Sequence, residues 1–104
     1  MIENPVLWGR WVRMLRTARG LSQAELERKA GLKRHTVGRV ELAEVEPGVG
    51  VVWKLAVALE VRAADLFDFA ETGPTEGDLN RLLARRSPAR PPTDSRDAAI
   101  PALE

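Results

Sequence analysis

Apolar and polar residues follow one another along most of this chain with the period of an α-helix. The first helix is predicted to start at Asn4-Pro5, because asparagine is a good N-cap and proline fits the first helical position, and to end near Gly20. Its apolar residues form two neighbouring stripes, with Trp8, Val12 and Leu15 on one and Leu7, Trp11 and Met14 on the other. No segment shows a strand pattern, so the chain is predicted to be all-α.

Two short helices are predicted next, joined by a single glycine. Ser22 and Glu25 have the spacing of a capping box, which places the second helix at about residues 22–30. Gly31 is the expected left-handed C-cap of that helix. The third helix is predicted over about residues 34–42, with Val37 and Val40 facing inward.

Helical spacing continues after a loop punctuated by Pro47-Gly48. It predicts a fourth helix over residues 49–60, a short fifth helix over about 63–71 and a helical piece over 76–86. The chain is therefore divided into a compact five-helix domain, 1–71, and a C-terminal extension, 72–104. Beyond Ser87 the extension is rich in proline and is expected to be a flexible tail.

Composition narrows the possible functions. The chain has 104 residues, no cysteine and one histidine, which excludes a disulfide framework, a thiolate metal site and a multi-histidine metal site. We expect no metal and no cofactor. The longest apolar run is too short to span a bilayer, and the N-terminus has the wrong charge order for a secretory signal, so we expect a cytoplasmic protein without membrane contact.

Charge is unevenly distributed along the chain. Residues 10–39 carry a net charge of +7, whereas residues 41–71 carry −5. A segregated basic region favours an anionic partner, with nucleic acid as the first candidate, although a merely solvated surface explains the same count. The cationic third helix directly after a glycine corner has the arrangement of a helix-turn-helix, in which the second helix enters the major groove of DNA.

Residues 14–67 resemble the Cro/phage-repressor-like (XRE-type) helix-turn-helix family, whose fold is the compact five-helix domain of lambda repressor. The order and spacing of the matching residues hold without a gap. These residues are Leu15-Arg16, Gly20-Leu21-Ser22-Gln23, Leu26, Gly31, Thr36-Val37, Arg39-Val40-Glu41, Pro47, Leu55-Ala56, Ala58-Leu59 and Asp65-Leu66-Phe67.

The resemblance implies roles for several residues around the helix-turn-helix. Residues facing the groove, and so candidates for base contacts, are Lys33, Arg34, His35 and Arg39. Candidates for phosphate contacts are Ser22, Gln23 and Thr36. Arg16 and Glu41 are expected to form the internal ion pair of the family, which is structural.

Several positions depart from the family pattern. Glu27 stands where the family nearly always has alanine, and we expect it to turn outward or to push the helices apart. Lys33 replaces the usual serine or threonine cap of the third helix, and Gly38 weakens that helix. The loop after it contains Glu44 and Glu46, which are expected to repel phosphates.

Four apolar residues are candidates for a protein interface: Leu7, Trp11, Met14 and Trp53. We predict that at least one of the two tryptophans lies in such an interface. The alternative is an enlarged core, covered by the leucines of residues 79–83.

The sequence thus predicts a non-enzymatic regulator, encoded by a bacterium or phage, that binds double-stranded DNA as a homodimeric repressor. One alternative is the antitoxin of a toxin–antitoxin pair, whose C-terminal tail binds a protein partner while the domain represses its own promoter. Another is a protein-interaction module that retains the fold with weak or lost DNA binding.

Overall fold

The computed structural model describes residues 4–86, and every regular element in this range is helical, which confirms the all-α prediction. Helices α1 (Pro5–Ala18), α2 (Gln23–Ala30), α3 (Thr36–Glu41) and α4 (Val49–Leu59) precede a 3₁₀ helix (Ala63–Phe67) and helix α5 (Glu76–Arg86). None of the helices in the described range is long and apolar enough to cross a membrane. The predicted flexible tail lies outside the described residues.

Side chains cap the N-termini of the first two helices, as the sequence predicts. The Asn4 side-chain oxygen accepts the Leu7 N–H at the start of α1. At the start of α2, Ser22 Oγ accepts the Glu25 N–H, and the Glu25 carboxylate accepts the Ser22 N–H at 2.8 Å. The hydrogen bond from the Ser22 backbone holds the pKa of Glu25 below its ordinary value, so this carboxylate stays ionised at the positive end of the helix.

One type of C-terminal turn ends each of the first four helices. In each, a residue with positive φ follows the helix, and the next N–H bonds back to a carbonyl five residues earlier, as in a Schellman motif. Gly20 and Gly31 hold this position after α1 and α2, but Ala43 and Glu60 hold it after α3 and α4. The last two turns therefore adopt a backbone conformation that is energetically unfavourable for residues with a Cβ.

Two predicted helices are shorter in the structure than the sequence indicates. Helix α3 begins at Thr36 rather than near residue 34, because His35 has a left-handed backbone (φ 71°) that cannot be part of the helix. The fifth predicted helix, 63–71, is a 3₁₀ helix that ends at Phe67, where Asp68 turns to a non-helical ψ of 78°.

The core contains the first stripe of α1 and also Trp11 of the second, which corrects the prediction for Trp11. Its side chain is 0% exposed, its Nε1 donates to the Asp65 carbonyl at 2.9 Å, and its ring packs against Phe69. An interface role for Trp11 is therefore wrong, because one enlarged core, which also includes Leu82 of α5, encloses it. Leu7 and Met14 are half-buried, whereas Trp53 is 62% exposed.

Buried carboxylates fasten α5 to the rest of the fold. Asp65 is 1% exposed and accepts a hydrogen bond from Arg85 of α5 at 2.7 Å. Asp78 accepts the backbone N–H groups of Thr75 and Ala70, and Thr75 Oγ1 accepts the Asp78 N–H in return. The Thr75-x-x-Asp78 spacing is a capping-box signal that the sequence reading overlooked.

Helix α1 touches the end of α3 at Gly9. A Cβ built on Gly9 would lie 2.7 Å from both the Val40 and the Glu41 carbonyl oxygens. These acceptors are backbone atoms and cannot rotate away, so only glycine lets the two helices pack at this distance.

Gly9→Ala is expected to destabilise the protein by about 1–3 kcal/mol, the usual range for overpacking, because α1 and α3 must separate. Urea denaturation followed by tryptophan fluorescence measures this loss.

Gly38→Ala is the matched control, since its Cβ would meet only the Gln23 side chain, at 3.4 Å. The free energy of unfolding of Gly38→Ala should be about 0.5–1 kcal/mol higher than that of the wild type, because alanine favours the helix more than glycine does. Equal stability of the wild type and Gly9→Ala would contradict the close packing of α1 on α3.

Acid is expected to weaken the attachment of α5 through Asp78. Hydrogen bonds from the Thr75 backbone first, and then from the Ala70 backbone, lower the pKa of Asp78 from 3.8 to about 2. A group whose pKa is lower in the folded state stabilises the fold above its unfolded pKa and loses that contribution as the pH falls towards the folded value. The contribution of Asp78 should therefore be complete at neutral pH and disappear between about pH 4 and pH 2.

Thermal melting of the wild type and Asp78→Asn across this range checks the prediction. The variant should melt lower at neutral pH and should lose less stability on acidification. If the melting temperatures of the two proteins fell in parallel as the pH is lowered, Asp78 would not contribute to the pH dependence of stability.

Candidate nucleic-acid interface

The corner between α2 and α3 is built by Gly31 and its neighbours. Gly31 has φ 70°, and the Leu32 N–H donates to the Glu27 carbonyl at 2.8 Å, which closes the end of α2. The chain then makes a tight turn at residues 34–35 and enters α3. Helices α2 and α3 pack against each other, while α1 packs on α3 and α4 packs on α2, so the corner is held from behind by two further helices.

All four predicted base-contact residues are exposed, and three of them line one open groove. Arg34, His35 and Arg39 form part of its wall, and Lys33 lies exposed on the turn beside it. Within the described residues, the three cationic side chains Lys33, Arg34 and Arg39 pair with no carboxylate. The corner therefore presents positive charge to solvent.

Gly38 of α3 lines the groove without a side chain. The groove encloses about 530 Å³ and is lined on the α2 side by Gln23, Ala24 and Glu27. The Gln23 side chain lies across Gly38, close enough that a Cβ there would contact its amide. Gly38 thus provides space for Gln23 rather than a contact of its own.

The predicted phosphate-contact residues lie at the starts of two helices. Gln23 is the first residue of α2, and its side-chain nitrogen donates to Glu41 Oε1 at 3.0 Å. Ser22 is exposed at the N-cap of α2, and Thr36 is half-buried at the first position of α3. Of these three residues, only Gln23 lines the groove.

Arg16 and Glu41, predicted as an internal pair, are in direct contact. Arg16 Nε donates to Glu41 Oε2 at 2.6 Å and Nη2 donates to Oε1 at 3.1 Å, an arrangement typical of strong guanidinium–carboxylate pairs. Arg16 Nη1 also donates to the Leu21 carbonyl at 2.8 Å. The same carboxylate holds Gln23, so a chain of contacts links α1 to the groove.

The structure corrects the expectation for Glu27. The residue is 7% exposed, and its Oε2 accepts the backbone N–H of Val37 at 3.0 Å. It neither turns outward nor separates the helices, because the first turn of α3 offers an unpaired N–H that the carboxylate can reach. The residue type alone gives no sign of this contact, since Glu27 and Val37 are ten residues apart on different helices.

Acidic side chains also border the interface. Glu44 lines the groove together with Arg34, and Glu46 follows in the same exposed loop. No group of three or more His, Asp or Glu side chains within residues 4–86 is arranged to hold a metal ion.

Known proteins are similar to this chain in sequence or in fold. The helix-turn-helix family profile matches residues 12–66 of this chain. An uncharacterized HTH-type transcriptional regulator of Archaeoglobus fulgidus is 33% identical over 58 residues, which make up 56% of this chain and 83% of that protein.

Two solved structures superpose on the chain. The restriction-modification controller protein C.AhdI from Aeromonas hydrophila has a TM-score of 0.58 and 42% identity, covering 60% of this chain and 94% of its own. The hypothetical transcription factor NHTF from Neisseria has a TM-score of 0.61 and 29% identity, covering 75% of this chain and 84% of its own. This chain belongs to the Cro/phage-repressor-like (XRE-type) helix-turn-helix family of DNA-binding transcriptional regulators.

Proposed function

We propose that this regulator is a cytoplasmic homodimeric repressor that places α3 in the major groove of its operator. The observation that carries the proposal is the groove at the α2–α3 corner, where Arg34, His35 and Arg39 stand exposed beside two helix N-termini. An α-helix fits the major groove, and exposed N-terminal residues of that helix are the ones that reach base edges.

Each group at the corner has a role in this arrangement. Arg34 and Arg39 are suited to bidentate hydrogen bonds with guanine O6 and N7, and Lys33 to guanine or phosphate. Gln23 and Ser22 lie at the start of α2, where helix N–H groups attract a phosphate, and Thr36 can offer its hydroxyl. Phosphate contacts fix the register of the protein on the duplex, and base contacts supply the sequence preference.

The shortness of α3 favours binding as a dimer. Six residues rise only about 9 Å, the length of roughly three base pairs, so one copy contacts too few bases for high specificity. Two copies related by a two-fold axis would contact two half-sites about one helical turn apart.

An exposed apolar stripe on α4 is the surface that we propose for the second copy. Val49, Trp53 and Val57 are spaced four residues apart and are 72%, 62% and 67% exposed. Tryptophan is enriched among the residues that dominate interface energies, and an unpaired stripe of this kind is unusual on a monomer. Repression would then be steric, since a dimer bound across a promoter blocks access to it.

Arg34→Ala and Arg39→Ala are each expected to weaken binding to the preferred duplex by about 5- to 150-fold, because a bidentate base contact contributes about 1–3 kcal/mol. The preferred duplex is selected from a randomised library with the full-length wild type. Fluorescence anisotropy against this duplex and a scrambled one, at several salt concentrations, measures affinity and preference.

Lys54→Ala is the charge-matched control, since Lys54 is exposed on α4 and does not line the groove. It should bind the selected duplex nearly as the wild type does. If Arg34→Ala and Arg39→Ala both retain full affinity, α3 is not the recognition helix. A wild type that prefers no duplex would favour the interaction-module alternative instead.

Trp53→Asp is expected to convert the dimer to a monomer, because a charge would be buried at the centre of the interface. Analytical ultracentrifugation should then report the 11.5 kDa mass of one chain instead of twice that mass. Val6→Asp changes an equally exposed apolar residue on α1 and should leave the dimer intact. Dimers in both variants would exclude the α4 stripe as the interface.

A further inference from the structure

Helix α3 starts without a cap of its own. The residue at its N-cap, His35, has a left-handed backbone and makes no capping hydrogen bond through its side chain. A normal N-cap residue is extended and places a serine, threonine, asparagine or aspartate oxygen on the N–H groups of the first turn. A six-residue helix without such a cap would be poorly held at the end that faces DNA.

Glu27 of α2 supplies the missing acceptor. Its Oε2 accepts the N–H of Val37, the second residue of α3, at 3.0 Å, and the bond is buried. Its negative charge also lies at the positive end of the α3 dipole. The carboxylate thus does from a neighbouring helix what an N-cap side chain does locally.

Glu27 holds the corner in a second way. Its backbone carbonyl accepts the Leu32 N–H at 2.8 Å, which ends α2. One residue therefore fixes the turn through its main chain and the start of α3 through its side chain. Glu27 also lines the groove together with Arg34 and Arg39.

We infer that Glu27 is a positioning residue for sequence recognition, which sets the angle of α3 on α2 and so the placement of Arg34 and Arg39 against base edges. The inference rests on the proposed function. It concerns sequence discrimination rather than total affinity, because contacts to phosphate tolerate a small rotation of α3 that bidentate contacts to bases do not.

Two variants separate the hydrogen bond from the charge. Glu27→Gln keeps a side-chain oxygen that can accept from Val37, whereas Glu27→Ala removes the acceptor; both remove the negative charge. A residue that only repelled phosphates would show equal effects in the two variants, and both would bind every duplex more tightly.

The measurement is the ratio of affinities for the selected and scrambled duplexes, taken at a temperature where each variant is shown by melting to be folded. Glu27→Ala is expected to reduce this ratio by roughly tenfold or more, the effect of losing one base contact. Glu27→Gln should stay within about threefold of the wild type, less than the loss of one base contact.

Amide exchange observed by NMR without DNA gives the second readout. The Val37 N–H should exchange roughly tenfold faster in Glu27→Ala than in the wild type, as expected for a lost hydrogen bond of about 1.4 kcal/mol, while the amide of Val12 in the core changes little. A helix that is merely less stable overall would raise the exchange rate of both amides.

An unchanged affinity ratio in folded Glu27→Ala would overturn the positioning role and leave the proposed function standing. Equal loss in Glu27→Gln and Glu27→Ala would also overturn it, since the charge and not the hydrogen bond would then matter. A wild type that does not discriminate between duplexes would overturn the proposed function itself, and the positioning role with it.

Discussion

The contact between Arg16 and Glu41 joins the three helices on which the interface depends. Arg16 belongs to α1 and also bonds the Leu21 carbonyl in the loop before α2, while Glu41 ends α3 and also accepts from Gln23 at the start of α2. Both side chains are largely buried, so loss of one partner would leave the other charge poorly hydrated, at a cost of up to about 3–5 kcal/mol. The pair therefore connects the far end of α3 to α1 and to the start of α2.

Helix α3 depends on its surroundings at every point. A six-residue helix has little stability of its own, since the cost of nucleation is not recovered over so few hydrogen bonds. Glu27 bonds its first turn, Val37 and Val40 lie in the core, and the backbone of α1 at Gly9 touches its last carbonyls. The segment that is proposed to contact DNA is thus placed by the remainder of the fold.

Part of the acidic charge in the second half of the chain stabilises the fold. Two acidic residues of the second half, Asp65 and Asp78, lie inside the fold, where they accept hydrogen bonds from the backbone and from arginines of α5. Arg81 and Arg85 in turn are occupied by these carboxylates. Arg34 and Arg39 at the corner have no such partners within the described residues, so their positive charge remains exposed at the proposed interface, as does that of Arg10, Arg13 and Arg28 elsewhere on the surface.

Local signals in the sequence determined the helical class, the capping box at Ser22, the left-handed turn at Gly31 and the family, because each depends on residues within a few positions or on a pattern of such residues. The sequence left the burial of Trp11 undecided between a core and an interface and did not predict the inward turn of Glu27, since each depends on a group far along the chain. Trp11 is enclosed by elements from the second half of the sequence, and Glu27 finds the Val37 N–H only because His35 leaves it uncapped. Backbone preferences are local, whereas the choice of partner for a buried polar group is made only when the helices have packed.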